Sequence, residues 1–269
     1  MIPETSVHFP PATILPFRRG RLIAVASGKG GVGKTWLSIT LAHALARAGQ
    51  RVLLFDGDLG LANVDIQLGL VPAHDLGGLI AGRASLAESV VTFAAGGFDI
   101  LAGRSGSGAL ASLDAPALAR VLAELRAATA LYQSVVLDLG AGLDRVVRRL
   151  AAAADTLLVV ATDEPTSLTD AYAVLKLHAA DCPGGGADTR VVVNQAASAA
   201  AGARTFATLA RACGAFLGKA PAFAGVVRRD ERVRETLRRQ GLLLTRHPAS
   251  PAAADIEQLA AALLARVVA

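Results

Sequence analysis

The 269-residue chain is 53% hydrophobic and has a formal net charge of +5, which excludes a disordered chain and does not by itself indicate a nucleic-acid-binding protein. Its two cysteines, Cys182 and Cys213, are far apart and lack metal-ligand spacing, which argues against a disulfide scaffold or a zinc site and favours a reducing cytoplasm. The sequence has neither a run of about eighteen apolar residues nor the pattern of a secretory signal, so it predicts no membrane-spanning helix and no secretion.

The order of apolar and amphipathic segments predicts the fold. Residues 1–20 contain four of the eleven prolines and are predicted to form a flexible leader, whereas residues 21–269 show no dividing linker and are predicted to form a single domain. Continuous apolar runs predict strands over 22–26, 51–55, 98–101, 133–137, 156–161, 190–194 and 222–227. Amphipathic stretches predict helices over 34–48, 114–130, 143–153, 166–180, 203–217 and 230–240. This alternation predicts an α/β fold with a doubly wound, mostly parallel sheet flanked by helices.

A glycine-rich turn follows the first predicted strand and opens the first helix. Its sequence GKGGVGKT fits the phosphate-loop pattern G-x-x-x-x-G-K-[ST]. Glycines let consecutive N–H groups approach phosphate oxygens, and the helix N-terminus adds donors and a positive dipole end. Lys34 is predicted to contact the β- and γ-phosphates of ATP, and Thr35 to bind Mg²⁺. A turn without a ligand is the alternative. The predicted nucleotide-binding residues of this segment are Gly28, Lys29, Gly30, Gly31, Val32, Gly33, Lys34, Thr35 and Trp36.

Polar residues at the ends of later strands add to this site. Asp56 and Asp58 follow the second predicted strand and Asp138 follows the fourth, at the sheet edge where open α/β proteins bind ligands. Asp138 is predicted to act on Mg²⁺ directly or through water, and Asp56 is a second predicted metal ligand. Asn194 ends a later strand, and its amide could contact adenine. Helix caps and turns are the alternatives for these residues.

The second lysine of the loop narrows the class of protein. Lys29, just after the first glycine, makes the loop resemble the deviant Walker A motif of the MinD/ParA ATPases. This resemblance implies that Lys29 reaches across a dimer interface to the nucleotide of the other subunit, where it stabilises charge during phosphoryl transfer. The string around Asp58 resembles switch I of the same ATPases, which implies that Asp58 orients the attacking water. Lys29, Lys34 and Asp58 are therefore the predicted catalytic residues. An exposed loop lysine is the alternative for Lys29.

Longer strings resemble one branch of that family. The segment DEPTSLTDAY at 163–172, the string DLGLANVDIQLG at 58–69 and the C-terminal stretch from Arg238 are similar to FlhG/FleN proteins. The resemblance implies a low-turnover ATPase that acts as an ATP-dependent dimeric switch and regulates flagellar number and placement. It implies as partners a second copy of the chain and the GTPase FlhF, a flagellar transcription regulator or flagellar switch proteins. A ParA- or MinD-type ATPase that positions DNA or the division site is the alternative, and a metabolic synthetase is less favoured.

Some features depart from that branch. The leader lacks the D-Q-A-x-x-L-R helix that stimulates FlhF, so this activity is not carried over. The apolar stripe of Ile256–Ala269 is interpreted as core-packing, which leaves attachment to the inner membrane or the cell pole open. Residues 228–239 contain six of the arginines. Interspersed acids favour a self-paired, solvated helix over DNA binding. Arg228-Arg229-Asp230 replaces a P-E-D segment that borders the nucleotide base in relatives.

Overall fold

A computed structural model describes residues 19–58, 62–103, 113–183 and 187–265. One eight-stranded sheet crosses the described chain in the order β3-β4-β2-β5-β1-β6-β7-β8. All neighbouring strands are parallel except β3 and β4, which are antiparallel. The strands are β1 Arg21–Ser27, β2 Val52–Gly57, β3 Val90–Phe93, β4 Phe98–Leu101, β5 Ser134–Ala141, β6 Thr156–Ala161, β7 Asp188–Ala196 and β8 Ala222–Arg228.

Helices cover both faces of this sheet. The long ones are α1 Lys34–Arg47, α5 Ala115–Leu131, α6 Arg145–Ala152, α7 Pro165–Asp181, α8 Ala199–Leu217, α9 Glu231–Arg238 and α11 Pro251–Ala265. The short ones are α2 Val64–Leu68, α3 Leu76–Ile80, α4 Leu86–Ser89 and α10 Leu243–Arg246. Successive strand residues enter opposite cores: Ala24 packs with α5 to α8, whereas Ile23 and Val25 pack with α1 and α11. Burial on both sides explains why the central strands are continuously apolar.

The predicted fold class is confirmed, and the differences lie in short or polar elements. The helices α2, α3, α4 and α10 have four or five residues, too few to display a 3.6-residue apolar period. The strand β3 was also missed, since it is a half-buried edge strand that follows a capping-box helix. Helix α8 begins at Ala199 rather than at 203, because Ser198 caps it through the N–H of Ala201. None of the described helices is long and apolar enough to cross a bilayer.

Helices α9 and α11 match their sequence patterns. Ser250 Oγ accepts a hydrogen bond from the N–H of Ala253 at 3.2 Å and so caps α11. The apolar stripe that contains Ile256 and Leu263 is buried in the core. Residues 266–269, at the end of that predicted stripe, lie outside the described residues. On α9, Arg232 pairs with Glu235 at 2.8 Å and Arg234 with Glu231 at 3.5 Å, as the charge pattern predicted.

Burial of His43 on α1 should make the fold acid-sensitive. Burial and, to a smaller extent, Arg47 lower the pKa of His43 to about 4. Between pH 6.5 and pH 4 the unfolded chain therefore binds a proton that the folded chain does not, so the free energy of unfolding decreases as the pH falls through this window. The expected loss is about 2 kcal/mol at about pH 5. Urea unfolding of His43→Leu at about pH 7 and about pH 5 should show a smaller difference than the original chain; an unchanged difference would contradict the assignment.

Candidate functional site

The parallel strands bring the predicted site residues to one edge of the sheet. Strand β1 ends at Ser27 in the middle of the sheet. Asp138 lies near the carboxyl end of the adjacent strand β5, and Asp56 and Asn194 lie near the carboxyl ends of β2 and β7, each one strand further from β1. Asp56 and Asp138 are direct cross-strand partners in the β2–β5 register. Because parallel strands end at the same edge, residues more than 100 positions apart meet around the turn between β1 and α1.

The glycine-rich turn has a shape that only glycine permits at several positions. Gly31 and Gly33 have φ of 80° and 87°, in the left-handed region. A Cβ on Gly28 would lie 2.5 Å from the carbonyl oxygen of Asp170, and one on Gly33 would lie 2.5 Å from Asn194 Nδ2. In contrast, a Cβ on Gly30 or Gly31 would meet no protein atom within 4 Å. The turn is therefore packed tightly at its two ends and open in its middle.

Side chains outside the turn fix the direction of its peptide groups. Ser27 Oγ donates to the carbonyl of Lys29 at 2.8 Å, and Asn194 Nδ2 donates to the carbonyl of Val32 at 2.8 Å. Gln195, in the left-handed region with φ 57°, donates to the carbonyl of Gly31 at 3.4 Å. In a trans peptide group the N–H points opposite to the C=O. The following N–H groups, those of residues 30, 32 and 33, therefore point away from these anchors, as phosphate binding requires.

Lys34 begins α1 and lies among the acids of the site. Its side chain is buried, and its charge acts on Asp138, which is itself buried and accepts hydrogen bonds from Thr35 and Ser38. Burial raises the pKa of Asp138, whereas Lys34 and the two hydroxyl groups lower it. The structure thus brings together Lys34, Thr35 and Asp138, three of the residues that the sequence assigned to phosphate and metal.

The two aspartates at the end of β2 lie in different environments. Asp56 is fully buried, and burial, followed by the charge of Asp138, raises its pKa to about 7. Its carboxylate accepts the N–H groups of Asp58, Asn63 and Val64, each at 3.2 Å, so it organises the loop after β2. Asp58 is only half-buried and lies at the mouth of the site. Residues 59–61 of the predicted switch I string lie outside the described residues.

Lys29 lies on the outer side of the turn. Its Nζ donates to Glu164 at 2.5 Å and to Thr166 Oγ1 at 3.1 Å, at the N-terminus of α7. The pKa of Glu164 is lowered by this hydrogen bond and charge. The Lys29 side chain is 37% exposed, whereas that of Lys34 is buried. The two lysines of the turn therefore lie in different surroundings, and Lys29 contacts the segment DEPTSLTDAY.

The side chains of Trp36, Val32, Arg228 and Asp230 pack or pair with other parts of the protein. Trp36 and Val32 are buried in the core on the α1 face, so only their backbone can face a ligand. Arg228 forms a bidentate ion pair with Asp255, with distances of 2.8 and 2.9 Å, and Asp230 caps α9. Arg228 and Asp230, the first and last residues of the segment that replaces P-E-D, therefore join β8 and α9 to α11.

The sequence interpretation missed Ser38 and Gln195, as well as Ser27, whose Oγ supports the carbonyl of Lys29. Ser38, one helical turn after Lys34, donates to Asp138 Oδ1 at 2.8 Å, and Gln195 supports the turn beside Asn194. A hydroxyl at the fourth position after the motif lysine was an available signal, since positions i and i+4 share one helix face. Nothing in the local sequence indicated the left-handed conformation of Gln195.

The polar groups of this site fit a nucleoside triphosphate bound with a divalent cation. An open glycine turn, a buried lysine, a hydroxyl at the helix start and a buried carboxylate supply anion-binding and hard oxygen groups. Together with the parallel sheet, this site defines a P-loop nucleotide-binding protein of the α/β class.

Comparison with known proteins narrows this class to a family. The model of the CobQ/CobB/MinD/ParA nucleotide-binding domain matches residues 23–243, and the chain belongs to this family. It is similar to the antiactivator FleN of Pseudomonas aeruginosa, with 40% identity over 89% of this chain and 85% of that protein. It is also similar to the flagellum site-determining protein YlxH of Helicobacter pylori, with 35% identity over 59% of this chain and 53% of that protein.

The solved structures agree on the fold. The septum site-determining protein MinD of Pyrococcus horikoshii, complexed with Mg-ADP, has a TM-score of 0.76 and 24% identity, and the match covers 93% of this chain and 99% of that chain. MinD of Aquifex aeolicus in a complex with MinC has a TM-score of 0.72, with 23% identity over 91% and 96% of the two chains. The predictions of the fold, of the family and of a MinD-like ATPase from the flagellum-regulating branch are confirmed.

Proposed function

We propose that this ATPase is an ATP-dependent dimeric switch in which Lys29 of each subunit completes the site of the other. The observation that carries this proposal is the separation of the two loop lysines. Lys34 lies buried beside Asp138, where it can serve its own nucleotide. Lys29 is directed away from these acids and held at the surface by Glu164 and Thr166. A lysine in this position is free to serve a second subunit once it leaves Glu164.

The cofactor of the proposed switch is ATP with Mg²⁺. In this assignment the N–H groups of Gly28–Trp36 and the amine of Lys34 hold the phosphates. Thr35 and Asp138 hold the cation, which neutralises phosphate charge when it is bound. We also assign Asp56 to the metal site, because it lies beside Asp138. Its oxygens already accept hydrogen bonds from three backbone N–H groups. The Mg-ADP complex of the Pyrococcus relative supports this cofactor.

Asp58 and Asn194 also have proposed roles in this site. Asp58 is half-buried at the mouth of the site, and its own N–H is bound by Asp56. We assign to it the orientation of the attacking water, a positioning role that needs no strong base. The amide nitrogen of Asn194 donates one of its two protons to the carbonyl of Val32, so a contact with adenine would use the second proton or Oδ1.

The proposed dimer face surrounds Lys29 and the start of α7. Both lie at the ligand edge of the sheet, and Glu164 is exposed beside Lys29. ATP closes the dimer only through contacts that depend on the γ-phosphate, because a ligand shifts an equilibrium by its differential affinity alone. On closure Lys29 exchanges its ion pair with Glu164 for the phosphates of the other subunit. Hydrolysis removes the γ-phosphate and returns Lys29 to Glu164.

The output of the switch is the control of flagellar number and placement. FleN and YlxH, the relatives reported above, support this output. The proposed partners are the GTPase FlhF, a flagellar transcription regulator or flagellar switch proteins, with the protein in the cytoplasm or held at the inner membrane or cell pole by a partner. The alternative of DNA positioning is less well supported, since acids of α9 pair with its arginines.

The molecular mass in solution tests whether ATP produces the proposed dimer. Asp58→Ala should bind ATP and remain a dimer in gel filtration with light scattering, because hydrolysis no longer reverses closure. The same variant with ADP, and the original chain without nucleotide, should elute as monomers. A monomeric Asp58→Ala at saturating ATP and Mg²⁺ would refute the proposal.

A further inference from the structure

The hydroxyl of Ser38 contacts the buried acid of the site. Ser38 Oγ lies 2.8 Å from Asp138 Oδ1 and 3.1 Å from the carbonyl oxygen of Lys34. A serine hydroxyl has one proton, so it donates one full hydrogen bond at a time. The carboxylate is the closer acceptor and carries the charge, and hydrogen bonds to charged groups are the stronger ones. Ser38 therefore donates chiefly to Asp138.

This contact lies in the interior of the molecule. Ser38 is fully buried and Asp138 is 1% exposed, so water cannot replace the hydroxyl at little cost. Asp138 also accepts a hydrogen bond from Thr35. Thr35 and Ser38 are three residues apart on α1 and lie on the same side of the helix. The hydroxyl groups of Thr35 and Ser38 on α1 therefore both hydrogen-bond to the carboxylate of Asp138 on β5.

We propose that Ser38 is a positioning residue for the magnesium site, because it fixes the Asp138 carboxylate while Thr35 remains available to the cation. This inference rests on the assignment of Thr35 and Asp138 to Mg²⁺ under the proposed function. Groups that hydrogen-bond a metal-binding carboxylate orient it, and their loss typically weakens metal affinity by about 10- to 100-fold. The other hydrogen-bond contact of Ser38 is the backbone carbonyl oxygen of Lys34 on α1.

Ser38→Ala is the test variant, since alanine is smaller than serine and suits a helix interior. The Mg²⁺ concentration that half-saturates the enhancement of ADP binding should rise by about 10-fold or more. Affinity for ADP in EDTA should stay as in the original chain. A fluorescent ADP analogue reports both quantities, and electron paramagnetic resonance of Mn²⁺ with ADP reports the metal directly.

Thr40 provides a matched control on the same helix. It is buried, and its hydroxyl donates to the carbonyl of Trp36 at 2.8 Å, the same four-residue contact that Ser38 has with Lys34. Thr40→Val removes this hydroxyl but should leave the Mg²⁺ dependence unchanged. Ser38→Thr keeps the hydroxyl and should restore the original dependence. If the extra methyl group of Ser38→Thr prevents folding, the comparison of Ser38→Ala with Thr40→Val still tests the inference.

The results separate this inference from the assignment on which it depends. Asp138→Asn should lose most of the Mg²⁺ enhancement. If it does, and Ser38→Ala behaves as the original chain, then the role of Ser38 is wrong and the metal assignment stands. If Asp138→Asn itself keeps the full enhancement, the metal assignment fails and the inference fails with it. An equal shift in Ser38→Ala and Thr40→Val would show general loosening of α1 and overturn the inference.

Discussion

Equal amounts of Lys29→Ala and Asp58→Ala, each inactive alone, should recover ATPase activity when they are mixed. Either variant should lower turnover by about 10³-fold or more, because Lys29→Ala removes a transition-state cation and Asp58→Ala removes the group that orients the attacking water. In a mixed dimer, the site of the Lys29→Ala subunit has its own Asp58 and receives Lys29 from the other subunit, so it is complete. Half of the dimers are mixed and each has one complete site, which gives about a quarter of the original activity.

The structure gives the reason for this expectation. In the single chain Lys29 donates to Glu164 and Thr166, on the other side of the turn from Asp138. A lysine that acted on its own nucleotide would leave both sites of a mixed dimer incomplete, and the mixture would stay inactive. Native mass spectrometry should establish that mixed dimers are present. Their presence without recovered activity would contradict action across the interface.

Much of the fold could be predicted because one physical signal dominates it. Strands buried on both faces must be continuously apolar, and β2, β5 and β6 are apolar runs of this kind. Elements without that signal were missed: α4 is held by a capping box between Ser85 and Glu88, and β3 pairs only at the sheet edge. Such elements depend on local caps and on tertiary neighbours more than on periodic burial.

The site was predictable where chemistry fixes both residue type and spacing. The glycine turn and its lysine follow from phosphate geometry, and Asp138 follows from its place at a strand end. The supporting contacts depend on tertiary distance instead. Asn194 holds the carbonyl of Val32 from 162 positions away, and Glu164 holds Lys29 from 135 positions away. Neither pairing has a local sequence signal, and the sequence indicated only an adenine contact or a turn for Asn194.

The largest expected loss of nucleotide affinity comes from Lys34→Ala. Lys34 begins α1 with its amine buried near Asp138. Charge-assisted hydrogen bonds contribute about 1.5–3 kcal/mol each, so removing the amine from two phosphates should weaken ATP binding by at least about 100-fold. Lys34→Arg should also bind poorly, because a planar guanidinium is wider than an ammonium and the surrounding turn is packed at its ends. Isothermal titration with ATP and Mg²⁺ measures both variants.

Lys219→Ala is the matched control for this loss. Lys219 is exposed just before β8, at the opposite edge of the sheet, so its removal changes the net charge equally without touching the site. ATP affinity should stay as in the original chain. Removing Lys34 also deprives the buried Asp138 of a neighbouring cation, so thermal unfolding without nucleotide should be measured in parallel. A folded Lys34→Ala that bound ATP with the original affinity would show that the turn does not hold the phosphates.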